Sequence, residues 1–150
     1  MATVTSNKVA DTVTRRTQHE GLTSVVASYT IPATGDGTAA NDIIQMVKVP
    51  KGAVILDLKV AITDVDTNAT PTHVFDVGDG DDVDRFIDGS TKGQGGGLAV
   101  LGDSVAAAVI DNALGYAYTA DDTIDVKVVT ASATKAAGVL VMSVIYAQEA

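Results

Sequence analysis

The stretch Ala53-Val54-Ile55-Leu56-Asp57-Leu58-Lys59-Val60-Ala61-Ile62-Thr63 decides the fold class. Val54, Leu56, Leu58, Val60 and Ile62 fall on one side of an extended chain. Ile55, Asp57, Lys59 and Ala61 fall on the other. Alternation of this kind predicts a half-buried β-strand, because successive side chains of a strand point to opposite faces. A second run, Asp42–Val49, precedes it, and Pro50-Lys51-Gly52 supplies the turn between them. Thr123–Thr130 repeats the pattern, with Ile124, Val126 and Val128 inward and Asp125 and Lys127 outward. Gly138–Ala147 is apolar on both faces, which predicts a central strand covered on both sides. Leu22–Ile31, Thr72–Val77, Leu98–Leu101 and Gly115–Thr119 complete the predicted strands. The one predicted helix is the alanine-rich Asp103–Leu114, with Asp103 or Ser104 as its cap, and a strand over Ser104–Ile110 competes with it. Seven or eight strands separated by Gly/Asp/Thr turns predict an all-β fold, an antiparallel β-sandwich of jelly-roll-like form.

Composition supports few helices. Of 19 acidic residues only Glu20 and Glu149 are glutamate, and aspartate favours turns and caps. The chain of 150 residues suits one domain with a core of its own. The boundary is expected after residue 21: residues 1–21 form an N-terminal arm and residues 22–150 the sandwich. The arm is polar and buries too little apolar area to offset its ordering entropy, about 1–2 kcal/mol per residue. A neighbouring chain is the expected support for it, with a strand or helix docked on its own domain as the alternative.

Charge and residue content exclude several function classes. The net charge is −9, so a phosphate-neutralising surface and a nucleic-acid partner are not expected. There is no cysteine, which removes disulfides, thiolate metal sites and cysteine nucleophiles, and the two histidines, His19 and His73, cannot make a three-histidine metal site. No apolar stretch is long enough to span a bilayer and no secretory h-region is seen, so assembly in the cytosol and no membrane contact are expected. The charge is uneven. Residues 1–40 balance Lys8, Arg15 and Arg16 against Asp11, Glu20 and Asp36, whereas residues 57–103 hold ten aspartates against Lys59, Arg85 and Lys92. Lys8, Arg15 and Arg16 are therefore the candidate partner-binding residues, on an arm that docks on an acidic protein surface.

Phe75–Gly89 is the densest cluster of aspartates. Asp76, Asp79, Asp81, Asp82 and Asp84 are the candidate ligands of a hard cation such as calcium, which takes several carboxylate oxygens. The spacing departs from an EF-hand loop, since Val83 and Arg85 occupy ligand positions when the loop starts at Asp79. The alternative is a turn-rich loop of Asx turns and positive-φ glycines in which Arg85 pairs with a carboxylate. Gly93-Gln94-Gly95-Gly96-Gly97 lacks the Lys-Ser/Thr pair of a phosphate loop and reads as a mobile loop, or one that another backbone approaches closely. His19 or His73 beside a hydroxyl is the nearest approach to a catalytic pair. No Gly-x-Ser-x-Gly occurs, and no enzyme is expected.

Three stretches together carry a resemblance: Asn41–Ile55, with its strand, Pro-Lys-Gly-Ala and second strand; the Asp/Gly loop Phe75–Gly89 with Arg85-Phe86-Ile87; and Asp122–Val141, a hairpin with a Thr/Ala/Ser tip. Over residues 22–147 the chain resembles the capsid decoration (cement) proteins of tailed bacteriophages. The resemblance implies a virion protein on the outer surface of the capsid that bridges neighbouring copies of the major capsid protein. It implies a homotrimer, an arm lying on the shell, and function by binding without chemistry. Two alternatives remain from the residues: a head-fibre or tail-associated module gripping a glycan, with calcium held by the Asp-rich loop, or another virion part such as a tail-tube or head–tail joining protein.

Overall fold

The computed structural model describes residues 1–6, 21–105 and 112–148. Nine strands run through these segments: β1 (Thr3–Thr5), β2 (Gly21–Ile31), β3 (Ile43–Val49), β4 (Ala53–Ile62), β5 (Val74–Gly78), β6 (Ile87–Ser90), β7 (Gly97–Val100), β8 (Asp122–Thr130) and β9 (Gly138–Gln148). A short 3-10 turn, Lys92–Gln94, lies between β6 and β7. No helix among the described residues is long and apolar enough to cross a membrane.

The strands form two sheets, β1-β3-β8-β5-β6 and β2-β9-β4-β7. The orders β3-β8-β5-β6 and β2-β9-β4-β7 are those of a jelly roll, eight strands wound as two Greek keys. All pairs are antiparallel except β1, which adds in parallel to the outer edge of β3. The predicted β-sandwich is therefore the observed fold. Its core fills the space between the sheets. Leu58, Val60, Leu140, Met142 and Val144 face Ile44, Met46, Phe75, Val77 and Ile124, all fully or almost fully buried. Burying one such side chain contributes about 1.5–3 kcal/mol.

Five features differ from the sequence-based expectations. First, strict alternation in β4 is broken by a bulge between Ile55 and Asp57. Ile55, Leu58, Val60 and Ile62 point inward, while Leu56 is exposed and Val54 half-buried. The extra residue re-aims everything before it. At this place β4 also exchanges hydrogen bonds with an incoming segment, Ile55 N–H to Tyr116 O and Gly115 N–H to Ile55 O. Second, Gly115–Thr119 makes this contact, with a single bridge from Val54 to Ala117, in place of a full strand. Third, β9 is central, but only its inner face is covered. Its outward residues Val139, Val141 and Ile145 are exposed or half-buried. Fourth, half of the predicted helix, residues 106–111, lies outside the described residues, and its expected caps serve otherwise. Asp103 accepts Val100 N–H, and Ser104 has φ of 62°. Fifth, the glycine run is packed only in part: Gly95 and Gly97 are exposed, and Gly96 comes close to the Asp64 backbone. Gly93 lies buried against the His73 ring, where a methyl group would overlap Nδ1.

The beginning of the chain lies on its own domain. Ala2 N–H donates to Asp42 Oδ1 at 2.7 Å, Ile43 N–H to Ala2 O, and Ser6 N–H to Gln45 O. The Ser6 hydroxyl donates to Met46 O. For residues 1–6 the support is thus an edge strand of the same chain, because β3 offers unpaired backbone groups that a short extended segment satisfies.

Candidate functional site

The Asp-rich loop is built around one buried ion pair. β5 ends at Gly78, and the chain turns so tightly that a methyl group at Gly78 would overlap the backbone of Asp82 and Val83. This turn carries Asp79 inward, its side chain 1% exposed. Arg85 Nε donates to Asp79 Oδ2 at 2.7 Å and Nη2 to Oδ1 at 3.4 Å. The same carboxylate accepts Asp81 N–H, Asp82 N–H and the Tyr118 hydroxyl. The guanidinium carbon of Arg85 sits 3.8 Å from the centre of the Tyr116 ring, and Tyr116 meets Tyr118 edge-on. Burial alone would lower the Arg85 pKa, but the Asp79 carboxylate outweighs it and the pKa is raised. Burial and the same carboxylate push the Tyr118 pKa far up, so its hydroxyl remains a donor. The expected pairing of Arg85 with a loop carboxylate is thus realised, and Asp79 is fully used in holding the loop.

The outer face of the β1-β3-β8-β5-β6 sheet is acidic. Asp76 on β5 lies opposite Lys127 on β8 and accepts Gly89 N–H at 2.8 Å. Burial raises the Asp76 pKa, and Asp88 adds to it. Carboxylate oxygens of Asp76, Asp84 and Asp88 converge within 4.8 Å of one another, with Asp84 and Asp88 exposed. Of the candidate cation ligands, two (Asp76 and Asp84) take part in this group, joined by Asp88. Asp79 is committed to Arg85, Asp82 lies 3.8 Å from Arg85 Nη1, and Asp81 is exposed on the turn.

Asp125 was read only as an outward residue of its strand, yet its environment is unusual. It lies between Gln45 of β3 and Gly78 of β5, and its Oδ1 is buried without a hydrogen-bond partner among the described residues. Burial pushes its carboxyl up to about 7, with Asp122 and Asp79 adding repulsion and Thr123 opposing. The unfolded carboxyl titrates near 3.8, so between these values the folded protein keeps a proton that the unfolded chain has lost. This carboxyl's contribution to stability then declines as pH rises from about 4 to about 7. Asp125→Asn should raise the melting temperature at pH 8 and raise it less at pH 5. Calorimetric melting at the two pH values measures this, and equal shifts would show that the carboxyl ionises normally.

Two further aspartates tie loops to strands. Asp42 accepts Gly37, Thr38 and Ala39 N–H groups besides Ala2 N–H. Asp66 is 1% exposed and accepts five backbone N–H groups, from Asn68, Thr72, His73, Ala133 and Thr134. Burial alone would raise both carboxyls, but the backbone donors outweigh it and both lie below the ordinary value. Beside this hub His73 is buried, with Nδ1 unpartnered among the described residues, and burial lowers its pKa. Thr72 directs its hydroxyl to Ala131 O, so it is not poised as a nucleophile for His73. His19 and the partner-binding candidates Lys8, Arg15 and Arg16 lie outside the described residues.

The class defined by this geometry is a jelly-roll module whose buried charges serve loop architecture and whose two outer faces differ in polarity. Chains of this fold occur in phage capsids. The chain is similar to one in the capsid of Ralstonia phage GP4, with 24% identity, a TM-score of 0.77 and 99% of each chain covered. It is similar to one in the capsid asymmetric unit of cyanophage Pam1, with 25% identity, a TM-score of 0.69, and 95% and 97% covered. A chain in the acidic stable capsid of Helicobacter pylori bacteriophage KHP30 shares the fold at 15% identity and a TM-score of 0.56, with 88% of this chain and 95% of that chain covered. No protein-family model and no curated protein matches the sequence.

Proposed function

We propose that this chain is a structural protein of a phage virion, a decoration protein that binds the outside of the assembled head and cements neighbouring major capsid subunits. The observation that supports this reading is that the fold of a chain in the capsid of Ralstonia phage GP4 matches this one over 99% of both lengths. The charge layout supports it. An arm bearing Lys8, Arg15 and Arg16 against Asp11 and Glu20 belongs to a body whose acids crowd one sheet and its loops. In this reading the arm lies on an acidic surface of the shell, and binding needs no cofactor and no catalysis. Many copies on one lattice give avidity, so each contact can be modest. The resemblance also implies a homotrimer on the outer surface, but this reading rests on multivalent attachment to the shell and requires no particular oligomer of the isolated chain.

The test is co-sedimentation with shells assembled from the accompanying major capsid protein. The protein should pellet with shells and stay in solution with unassembled subunits. Lys8→Glu, Arg15→Glu and Arg16→Glu together should weaken binding by about tenfold or more, since each reverses an attraction. These changes leave β1 and its contacts with Asp42 in place. Failure to pellet with any shell would sink the reading, and unchanged binding of the triple variant would remove the arm from it.

A further inference from the structure

The outer face of the β2-β9-β4-β7 sheet contrasts with the acidic face opposite. Five of the exposed large apolar side chains lie on it: Leu22 and Val26 on β2, Leu56 on β4, Leu98 on β7 and Val139 on β9, between 41% and 73% exposed. Val141 and Ile145 of β9 lie half-buried among them. The register places the paired ones outward, since their neighbours Ala27, Ala99, Leu140, Met142 and Val144 are buried in the core, and Leu56, the extra residue of the β4 bulge, is exposed beside them. The charged residues that these strands turn outward are Asp57 and Lys59, and they form an ion pair with each other. The same strands turn Ser24, Ser28, Thr30 and Ser143 outward as well, so the apolar side chains share the face with hydroxyls, whereas antiparallel sheets normally present mainly polar residues to water on their open face. An apolar face of this extent marks an interaction surface.

We infer that this face is the contact between two copies of the chain, packed sheet on sheet. Three observations select a second copy as the occupant. A face whose charges cancel internally is complementary to itself, whereas a charged face requires an opposite partner. The size fits. Strands of 11, 11, 10 and 4 residues, spaced about 4.8 Å apart with about 3.4 Å per residue, make a face of roughly 600 Å² in projection. A standard interface buries about 800 Å² of accessible surface per partner. The charge of −9 per chain does not oppose the contact. Asp76, Asp84 and Asp88 lie on the far sheet. With sheets about 10 Å apart, the two acidic faces of a pair stand about 30 Å apart, several screening lengths at about 8 Å each. The contact is isologous, with the strands of the two faces aligned within about 30° as in other aligned sheet packings. It does not depend on the capsid reading, because it concerns the isolated protein.

Sedimentation velocity of the full chain at about 50 μM tests this, a concentration that populates any association tighter than about 10 μM. The wild type should sediment as a dimer. Val26→Glu with Leu98→Glu should sediment as a folded monomer, with association weakened at least 100-fold, because each change would bury an unpaired charge. Far-UV circular dichroism and the melting temperature establish that the variant is folded. Val129→Glu, at an exposed apolar site on the opposite sheet, should leave the dimer unchanged. A monomeric or trimeric wild type would overturn the inference, as would a dimer that survives Val26→Glu with Leu98→Glu. A wild type that is monomeric alone, but needs Val26 and Leu98 to bind shells, would assign the face to the capsid protein and equally overturn it.

Discussion

Asp66→Ala should be the most destabilising single change at a polar position of this protein. The carboxylate is the common acceptor for five backbone N–H groups in two loops that are distant in sequence, the β4–β5 connection and the tip of the β8–β9 hairpin. Alanine removes the acceptor and leaves the donors facing one another in a space sealed from water. Each unsatisfied buried group costs about 1–3 kcal/mol, so even partial rescue by water leaves a loss of about 4 kcal/mol or more. Domains of this size have about 5–15 kcal/mol in total, and the melting temperature should fall by about 10 °C or more. Asp66→Asn should fall between, since one oxygen is kept while an amide N–H2 confronts donors. The pH dependence has a definite sign. The folded carboxyl is held below its ordinary value, so its contribution is complete above about pH 4 and is lost as pH falls further. Acid unfolding of the alanine variant should therefore be shallower than that of the wild type. Calorimetry between pH 7 and pH 3 measures both effects. A loss under about 1 kcal/mol would mean that the loops hold each other without the carboxylate.

Asp79→Ala should cost almost as much, and more than Arg85→Ala. Removing Asp79 leaves the Arg85 guanidinium, 9% exposed, with only the more distant Asp82 carboxylate at 3.8 Å, and strands the Tyr118 hydroxyl and the Asp81 and Asp82 amides as well. Loss of one partner of a buried pair costs about 3–5 kcal/mol. Removing Arg85 leaves Asp79 with three donors still in place, so its charge stays partly compensated. The double variant should lose less than the sum of the two, because the charge left behind in each single variant is gone. Urea unfolding of the four proteins gives the coupling energy directly. Equal costs for the two single changes would indicate that the stacking of Arg85 on Tyr116, and not the ion pair, holds the loop.

Both predictions concern aspartates whose roles were not visible in one dimension. The run Phe75–Gly89 reads as a cluster of cation ligands or as a turn-rich loop, and composition does not separate the two. What separates them is Tyr118, which arrives from a segment 39 residues away to close the pocket around Asp79 and Arg85. Nothing in the sequence singles out Asp66, because the amides it serves come from residues 133 and 134 as well as from its own loop. β6 was missed for a related reason. Its four residues include Asp88-Gly89, a turn signal, yet they pair with β5 because Ile87 is drawn into the core. β1 was missed because three residues of a polar segment carry no periodicity of their own.

The sequence by itself determined the sandwich. Alternation is a local property of an extended chain, so β3, β4, β8 and β9 could be read from residues 42–63 and 122–148 alone. It also determined the uneven charge, with the acids crowded into the middle of the chain. Only the tertiary structure decided which side of β4 faces the core. The bulge at Leu56 depends on a backbone segment some sixty residues away, and a shift of one residue exchanges the faces of a strand. Only the tertiary structure, too, gathered the acids onto one outer sheet and left the apolar side chains of the other uncovered, since which faces turn outward follows from the order in which the strands pair.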